Sequence, residues 1–255
     1  MIFYFSGCGN SKFLAESLGE RLQQELVFIP KAEDSYHIAP DEPLGFVFPV
    51  YSWAPPRLVV EFLRRVKLTL GGNNHVFMAV TCGDECGLTD SLFAKALQRH
   101  QGLKLNAAYS VQMPETYINL PGFKLDTPEN AQRKIDAAKA RIEEIARHIA
   151  RKEEEVDVVV GGASWIKSHP VRALFNGILI SDKPFRLHDN CVGCGICEQC
   201  CPVGNIKLDS NGRPVWQHHC VGCMGCYHHC PQNAIHFGKQ TIGKGQYFFK
   251  PKVKE

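Results

Sequence analysis

Between Cys191 and Cys230 the sequence states one phrase twice. Cys191, Cys194, Cys197 and Cys201 recur 29 residues later as Cys220, Cys223, Cys226 and Cys230. Both copies read C-x2-C-x2-C-x3-C-P, closed by Pro202 and Pro231, and the echo continues to Ile206 and Ile235. Cys200 falls where the second copy has His229, so it stands outside the repeat. Eight thiols at these spacings constrain the chain more than any other feature does.

Three chemistries use closely spaced cysteines. A zinc ion needs only four ligands and prefers two C-x2-C pairs or a Cys/His mixture, which two four-cysteine runs fit poorly. A disulfide framework belongs to small secreted chains. Here the opening MIFYF reads as a strand, with no basic segment and cleavable apolar core, so a cytoplasmic, reducing compartment is expected. The third chemistry is iron–sulfur. The spacing is that of a bacterial two-cluster ferredoxin, in which the fourth cysteine of each run ligates the other cluster. A loop with thiolates at i, i+3 and i+6 wraps three corners of a cubane, and the fourth corner is met from the partner run. Two 4Fe–4S clusters are therefore expected, one on Cys191, Cys194, Cys197 and Cys230, the other on Cys220, Cys223, Cys226 and Cys201. Cys200 is left as an unligated thiol or a spare ligand. His218, His219, His228 and His229 read as surface groups or neighbours of the clusters, since the cysteines already fill both.

The cysteine-dense part begins only at Cys191, and 255 residues leave room for a second domain. The net charge of +3, with no dense Lys/Arg run, makes no case for nucleic acid. No apolar stretch of about 18 residues appears, so no membrane span is expected. Before the cysteines the text alternates. Strand-like runs at 1–5, 26–29, 44–48, 76–81 and 105–112 are separated by helical patterns at 11–24, 57–67 and 88–100. That rhythm predicts an α/β fold with parallel strands and helical crossovers. Residues 127–152 read as the longest helix, with Asp126 and Thr127 as cap candidates and Pro128 near its first position. Within the connector, VDVVVGG reads as an extra strand or an apolar tether. Val171, Leu174, Phe175, Ile178 and Leu179 form a helical stripe, suited to docking between domains or to plain core packing. The division expected is 1–152, a connector at 153–184 that is partly helical, and 185–255.

The opening strand runs straight into SGCGNS and then a helix. A tight Gly/Ser loop at a helix N-terminus is an anion site, with Ser6, Asn10 and Ser11 as added donors. It lacks both the G-x-G-x-x-G and the Gly-Lys-Ser/Thr signatures, which favours a small phosphate monoester. Two more loops follow strands: PVYSWAPP at 49–56, carrying Tyr51 and Trp53, and TCGDECG at 81–87. Ligands of open α/β sheets bind outside the carboxyl ends of the strands. The three loops together suit a planar ring with a phosphate tail, although Tyr51 and Trp53 read equally as residues packing a loop onto the sheet.

YFSGCGNS resembles the flavodoxin phosphate loop, usually SGTGNT or SGTGNS. The chain as a whole is similar to a bacterial and archaeal family that fuses a flavodoxin-like domain to a two-cluster ferredoxin. The likeness takes in FPVYSWAPPRLVVEFL, TCGDECG, VQMPETYI and both cysteine runs through CPQNAIHFGK. It implies a flavodoxin-like doubly wound sheet of order 2-1-3-4-5, a small α+β ferredoxin domain, FMN, two 4Fe–4S clusters and electron transfer. By position, Ser6, Cys8, Gly9, Asn10 and Ser11 would hold the FMN phosphate. Pro49, Val50, Tyr51, Ser52, Trp53 and Ala54 would flank the ring on one side, and Thr81, Cys82, Gly83, Asp84 and Gly87 on the other. Tyr117 would lie near it. Cys8 departs from the family's Thr. A thiol donates weakly, so FMN should bind less tightly, and a helix N-terminus lowers a thiol pKa, so Cys8 is either oxidation-sensitive or a neutral replacement.

Three functions remain open at this stage. The chain is an electron carrier serving a redox partner protein, an FMN-dependent reductase of a small molecule fed by the clusters, or a redox sensor without turnover.

Overall fold

A computed structural model describes residues 1–249, except the side chain of Ile178. Six parallel strands form the main sheet: β1 (Ile2–Tyr4), β2 (Leu26–Phe28), β3 (Leu44–Pro49), β4 (Val76–Cys82), β5 (Ala107–Gln112) and β6 (Val156–Asp157). Their order is β2-β1-β3-β4-β5-β6, the flavodoxin-like 2-1-3-4-5 with a two-residue edge strand added. Helices α1 (Asn10–Leu22), α2 (Arg57–Arg65), α3 (Thr89–Gln101) and α4 (Pro128–Ala150) make the crossovers.

The central strands LGFVFP and VFMAVTC are apolar nearly throughout because both of their faces are covered. Alternation splits their side chains between two cores. Phe3, Phe5, Phe46, Phe48, Met78 and Val80 pack with Phe62, Leu63, Phe93 and Leu97 of α2 and α3. Ile2, Val47, Phe77 and Ala79 pack with Leu14 and Leu18 of α1 and Ile142 and Ile145 of α4. Between two helix layers the sheet cannot slip by one residue without turning each set toward the wrong helices.

Helix α4 starts where its sequence signals place it. Thr127 is the N-cap, its side chain accepting from Asn130 N at 3.3 Å, and Pro128 opens the first turn. Thr127→Ala should lower the unfolding free energy by about 1 kcal/mol, read by anaerobic denaturant titration.

Two local expectations change. The pattern over 57–67 is a shorter helix, because Lys67–Leu70 turns into a strand pairing in parallel with Ser35–Ile38, a small separate sheet. Only Val156 and Asp157 of VDVVVGG join the main sheet, while Val159 and Val160 are exposed. Residues 164–179 are helical, with π-type turns at Lys167–Val171 and Phe175–Leu179. The expected apolar stripe is covered only in part. Val171 and Leu174 are exposed, and Phe175 is buried, its ring 5.6 Å from that of Tyr117. Ile178, the fourth residue of the stripe, has a side chain outside the described residues.

The cysteine-rich part is a small ferredoxin-like unit. Strands β7 (Phe185–Leu187) and β10 (Ile235–Phe237) pair antiparallel, as do β8 (Ile206–Leu208) and β9 (Pro214–Trp216). Short helices at Ile196–Gln199 and Gly225–His228 carry Cys197 and Cys226, so the 29-residue repeat is visible in three dimensions. Among the described residues, no helix is long and apolar enough to cross a membrane.

Candidate functional site

The repeat folds so that its eight cysteines line two cavities. The first is lined by Cys191, Cys194, Cys197 and Cys230 with Gly193, Gly195, Pro214 and Ile235. The second is lined by Cys201, Cys220, Cys223 and Cys226 with Phe185, Pro202 and Trp216. Each set takes three cysteines from one run and the fourth from the other. Cys200 lines neither cavity; its thiol donates to Cys197 O at 3.6 Å.

The surroundings suit thiolates. Asn205 N donates to Cys201 Sγ at 3.1 Å and Ala234 N to Cys230 Sγ at 3.3 Å, each from four residues beyond the fourth cysteine of its run. Gly222 N donates to Cys220 Sγ at 3.3 Å. Burial, and then the neighbouring thiols, raise Cys223 and Cys226 well above an ordinary thiol pKa. Thiolates crowded in this way are stable beside bound metal charge. An all-sulfur, apolar-walled donor set fits an iron–sulfur cluster.

Residues 183–235 match the family of 4Fe-4S dicluster domains. This part of the chain is thus an iron–sulfur, metal-binding unit with an electron-transfer role. No curated protein matches the chain. Among solved structures, it is similar to rubredoxin oxygen:oxidoreductase from the anaerobe Desulfovibrio gigas, with 15% identity and a TM-score of 0.31. That alignment covers 59% of this chain and 36% of the other, so the match spans about a third of that protein.

At the carboxyl ends of β1, β3 and β4 lies the crevice where the resemblance expects FMN. The polar side chains of the SGCGNS loop all have protein partners. Ser6 Oγ accepts from Gly9 N at 3.1 Å, and Cys8 Sγ donates to Cys223 O at 3.4 Å. Asn10 Nδ2 donates to Pro114 O at 2.9 Å, and Ser11 and Thr81 share a hydroxyl hydrogen bond of 2.7 Å. Space is short as well. A Cβ on Gly7 would stand 2.7 Å from Cys223 Cβ and from Cys223 O. One on Gly9, whose φ is +95°, would stand 2.6 Å from Phe249 O. Phe249 N donates to Cys8 O at 2.8 Å, its ring lies 4.5 Å from that of Phe13, and Tyr247 OH donates to Asn10 Oδ1 at 3.2 Å. Protein covers the loop.

The ring loops are closed in the same way. Val50 N donates to Thr81 O at 2.9 Å, and Trp53 Nε1 donates to Glu85 Oε1 at 2.8 Å. Glu85 also pairs with Lys167, whose ammonium sits 5.3 Å from the centre of the Trp53 ring. Ser168 Oγ donates to Trp53 O at 2.8 Å, and Gly87 leaves the room that the Trp53 side chain and Ser168 occupy. Pro49 ends β3 opposite Thr81, Tyr51 meets Phe5 edge-on, and Ser52 and Trp53 adopt left-handed backbone before buried Ala54. Cys82 is buried, Gly83 lies under the Glu115 carboxylate, and Asp84 O accepts from Gln112 Nε2. Tyr117 packs between Phe123 and Phe175. As arranged here, these residues do not fit FMN: Cys223 and Phe249 stand over the glycines of the phosphate loop, and both ring loops are bridged by protein.

Cys8 also departs from expectation. Burial is the largest influence and raises its pKa far above an ordinary thiol. A helix N-terminus is worth about 0.3–1 kcal/mol, under one pKa unit, whereas full burial shifts a group by up to 3–5 units. Burial wins, and Cys8 is a protonated donor.

Asp182 and Asn205 carry no sequence signal of their own, whereas His218, His219 and His228 sit beside the cysteine runs in the sequence. Asp182 is buried and accepts from Asn205 Nδ2 at 2.9 Å and from His218 N at 2.9 Å, while Asn205 Oδ1 accepts from His219 N at 2.7 Å. This network anchors the loop between Cys201 and Cys220. His228 Nε2 donates to Thr116 O at 2.8 Å, and its Nδ1 accepts from Tyr247 N at 3.2 Å. Those partners fix a neutral imidazole, and burial agrees by lowering its pKa.

Proposed function

We propose that this chain carries single electrons between two 4Fe–4S clusters and a redox partner protein. The observation supporting it most strongly is the make-up of the two cavities, each with three cysteines of one run and the fourth of the other. In this reading Cys191, Cys194, Cys197 and Cys230 hold one cluster, and Cys201, Cys220, Cys223 and Cys226 hold the second. When bound, the clusters supply reversible one-electron exchange. The chain's part is to hold them, exclude water and set their potentials. The N–H groups of Asn205, Gly222 and Ala234 stabilise negative charge on sulfur, which raises a cluster's potential.

The two cavities differ in access. Cys194 is exposed and Val192 beside it is 64% exposed, whereas Cys223 lies under the flavodoxin-like loop. We assign the Cys194 edge as the place where the partner exchanges electrons. Residues 1–152 act as the platform, 153–184 as the connector and 185–255 as the redox unit. FMN, and reduction of a small molecule over it, have no part in this reading, because protein fills the crevice they need.

Anaerobically purified chain should contain about eight irons and about eight sulfides and take up electrons reversibly in a redox titration. Zinc in place of iron, or about four irons per chain, would overturn the proposal.

A further inference from the structure

We propose that the crevice at the carboxyl ends of β1 and β3 is the seat of the iron–sulfur unit instead of a flavin site, with Cys8 positioning Cys223 within it. The inference rests on the two-cluster reading above and extends it to the first half of the chain.

Three independent contacts converge on this seat. The Cys8 thiol donates to the Cys223 carbonyl at 3.4 Å, holding the main chain of a cluster-site residue from outside its own domain. Gly7 is required there, since any side chain would meet the Cβ and carbonyl oxygen of Cys223 at 2.7 Å. On the other flank, Gly225 approaches Gly7, and a Cβ on Gly225 would meet Gly7 O at 3.1 Å. Two backbones therefore pack glycine to glycine, a surface shaped for one partner. Residues 247–249 complete the cover through Tyr247 on Asn10 and Phe249 on Cys8 and Phe13.

A loop that retains the glycines of a phosphate cradle thus uses them for close approach of protein. The effect on the bound cluster follows from the rule that potential depends on exposure and on the dipoles around sulfur. Cys8 and Gly7 govern the centre on Cys201, Cys220, Cys223 and Cys226 and leave the other centre alone.

The test uses the full chain, purified anaerobically with its clusters. Titration with FMN, followed by flavin fluorescence, should show no saturable binding, and acid-released flavin should be far below one per chain. Cys8→Thr, which restores the residue common in flavodoxins, should gain none. In a potentiometric titration with electron paramagnetic resonance, Cys8→Ala should shift the midpoint of one cluster and leave the second in place. Cys8→Ser, which keeps a donor, should return the shifted value toward that of the parent. Gly7→Val should alter the same cluster's spectrum more strongly; if that variant fails to fold, the Cys8 pair still decides. About one tightly bound FMN per chain, or midpoints unmoved in Cys8→Ala, would overturn the proposal. A shortfall in iron would count against the two-cluster reading alone, since the flavin titration is read separately.

Discussion

Cys230→Ala should remove about half of the iron, and the cluster lost should be the one on Cys191, Cys194 and Cys197. Those three lie at least 33 residues earlier in the sequence, yet Cys230 shares their cavity. The reciprocal variant, Cys201→Ala, should damage the centre on Cys220, Cys223 and Cys226. Loss of one thiolate leaves an iron corner without its protein ligand, and such a cluster loses iron or converts. Cys200→Ala should retain about eight irons, the two-cluster number, because Cys200 lines neither cavity. Iron, sulfide and low-temperature spectra of the three anaerobic proteins decide the matter. A Cys200→Ala chain that loses iron while Cys201→Ala keeps it would refute the assignment.

A comparably large effect is expected far from the cysteines. Lys134 and Asp126 form an ion pair of 3.0 Å with side chains 9% and 11% exposed, and Asp126 also accepts from Glu115 N at 2.8 Å and from Asn130 Nδ2. Asp126→Ala takes the nearest carboxylate from a buried ammonium, leaving Asp84, 3.6 Å away and 86% exposed, and the longer-range charge of Glu115. The expected cost is about 3–5 kcal/mol in denaturant unfolding, and adding Lys134→Met should recover much of it. The pair also predicts a pH dependence. Burial pulls the Asp126 pKa up, but the Glu115 amide, the Lys134 ammonium and Asn130 together outweigh it, so the folded value is lowered. A lowered carboxylate contributes stability that is complete above its unfolded pKa of about 3.9 and is lost as pH falls through the folded value. The parent should therefore lose more stability than Asp126→Ala does between neutral pH and pH values below that range. Equal losses would exclude this role for the carboxylate.

What the sequence could show depended on the range of the interaction. The cysteine repeat and the rhythm of strands and helices are local patterns, and both appear in the fold: the sheet order, the cap at Thr127 and the two four-cysteine cavities. The strand Lys67–Leu70 was hidden because its four residues follow α2 closely and alternate only once or twice, too briefly to separate from a helix end. The stripe of Val171, Leu174, Phe175, Ile178 and Leu179 is helical, with Phe175 buried but Val171 and Leu174 exposed, because helical periodicity identifies a face without saying what covers it. The phosphate-loop reading met the same limit. Ser6, Asn10 and Ser11 do stand at a helix N-terminus, but Ser6 Oγ accepts from Gly9 N, Asn10 Nδ2 donates to Pro114 O, and the Ser11 and Thr81 hydroxyls pair with each other. Trp53 was read as a candidate ring face, and its indole is bonded to Glu85. The cover over Gly7 and Gly9 comes from Cys223 and Phe249, more than 200 residues away in sequence, and no local pattern reports such a contact.

That same contact bears on the order in which the molecule can be made. Synthesis on the ribosome proceeds from the N-terminal side at about 5–20 residues per second. The sheet and its helices are complete in sequence well before Cys220 is added, so for many seconds the SGCGNS loop stands uncovered on a finished platform. Neither cavity can close in that interval either, since the first needs Cys230 and the second needs Cys220. Closure of the two cavities thus waits until the second cysteine run has been added to the chain.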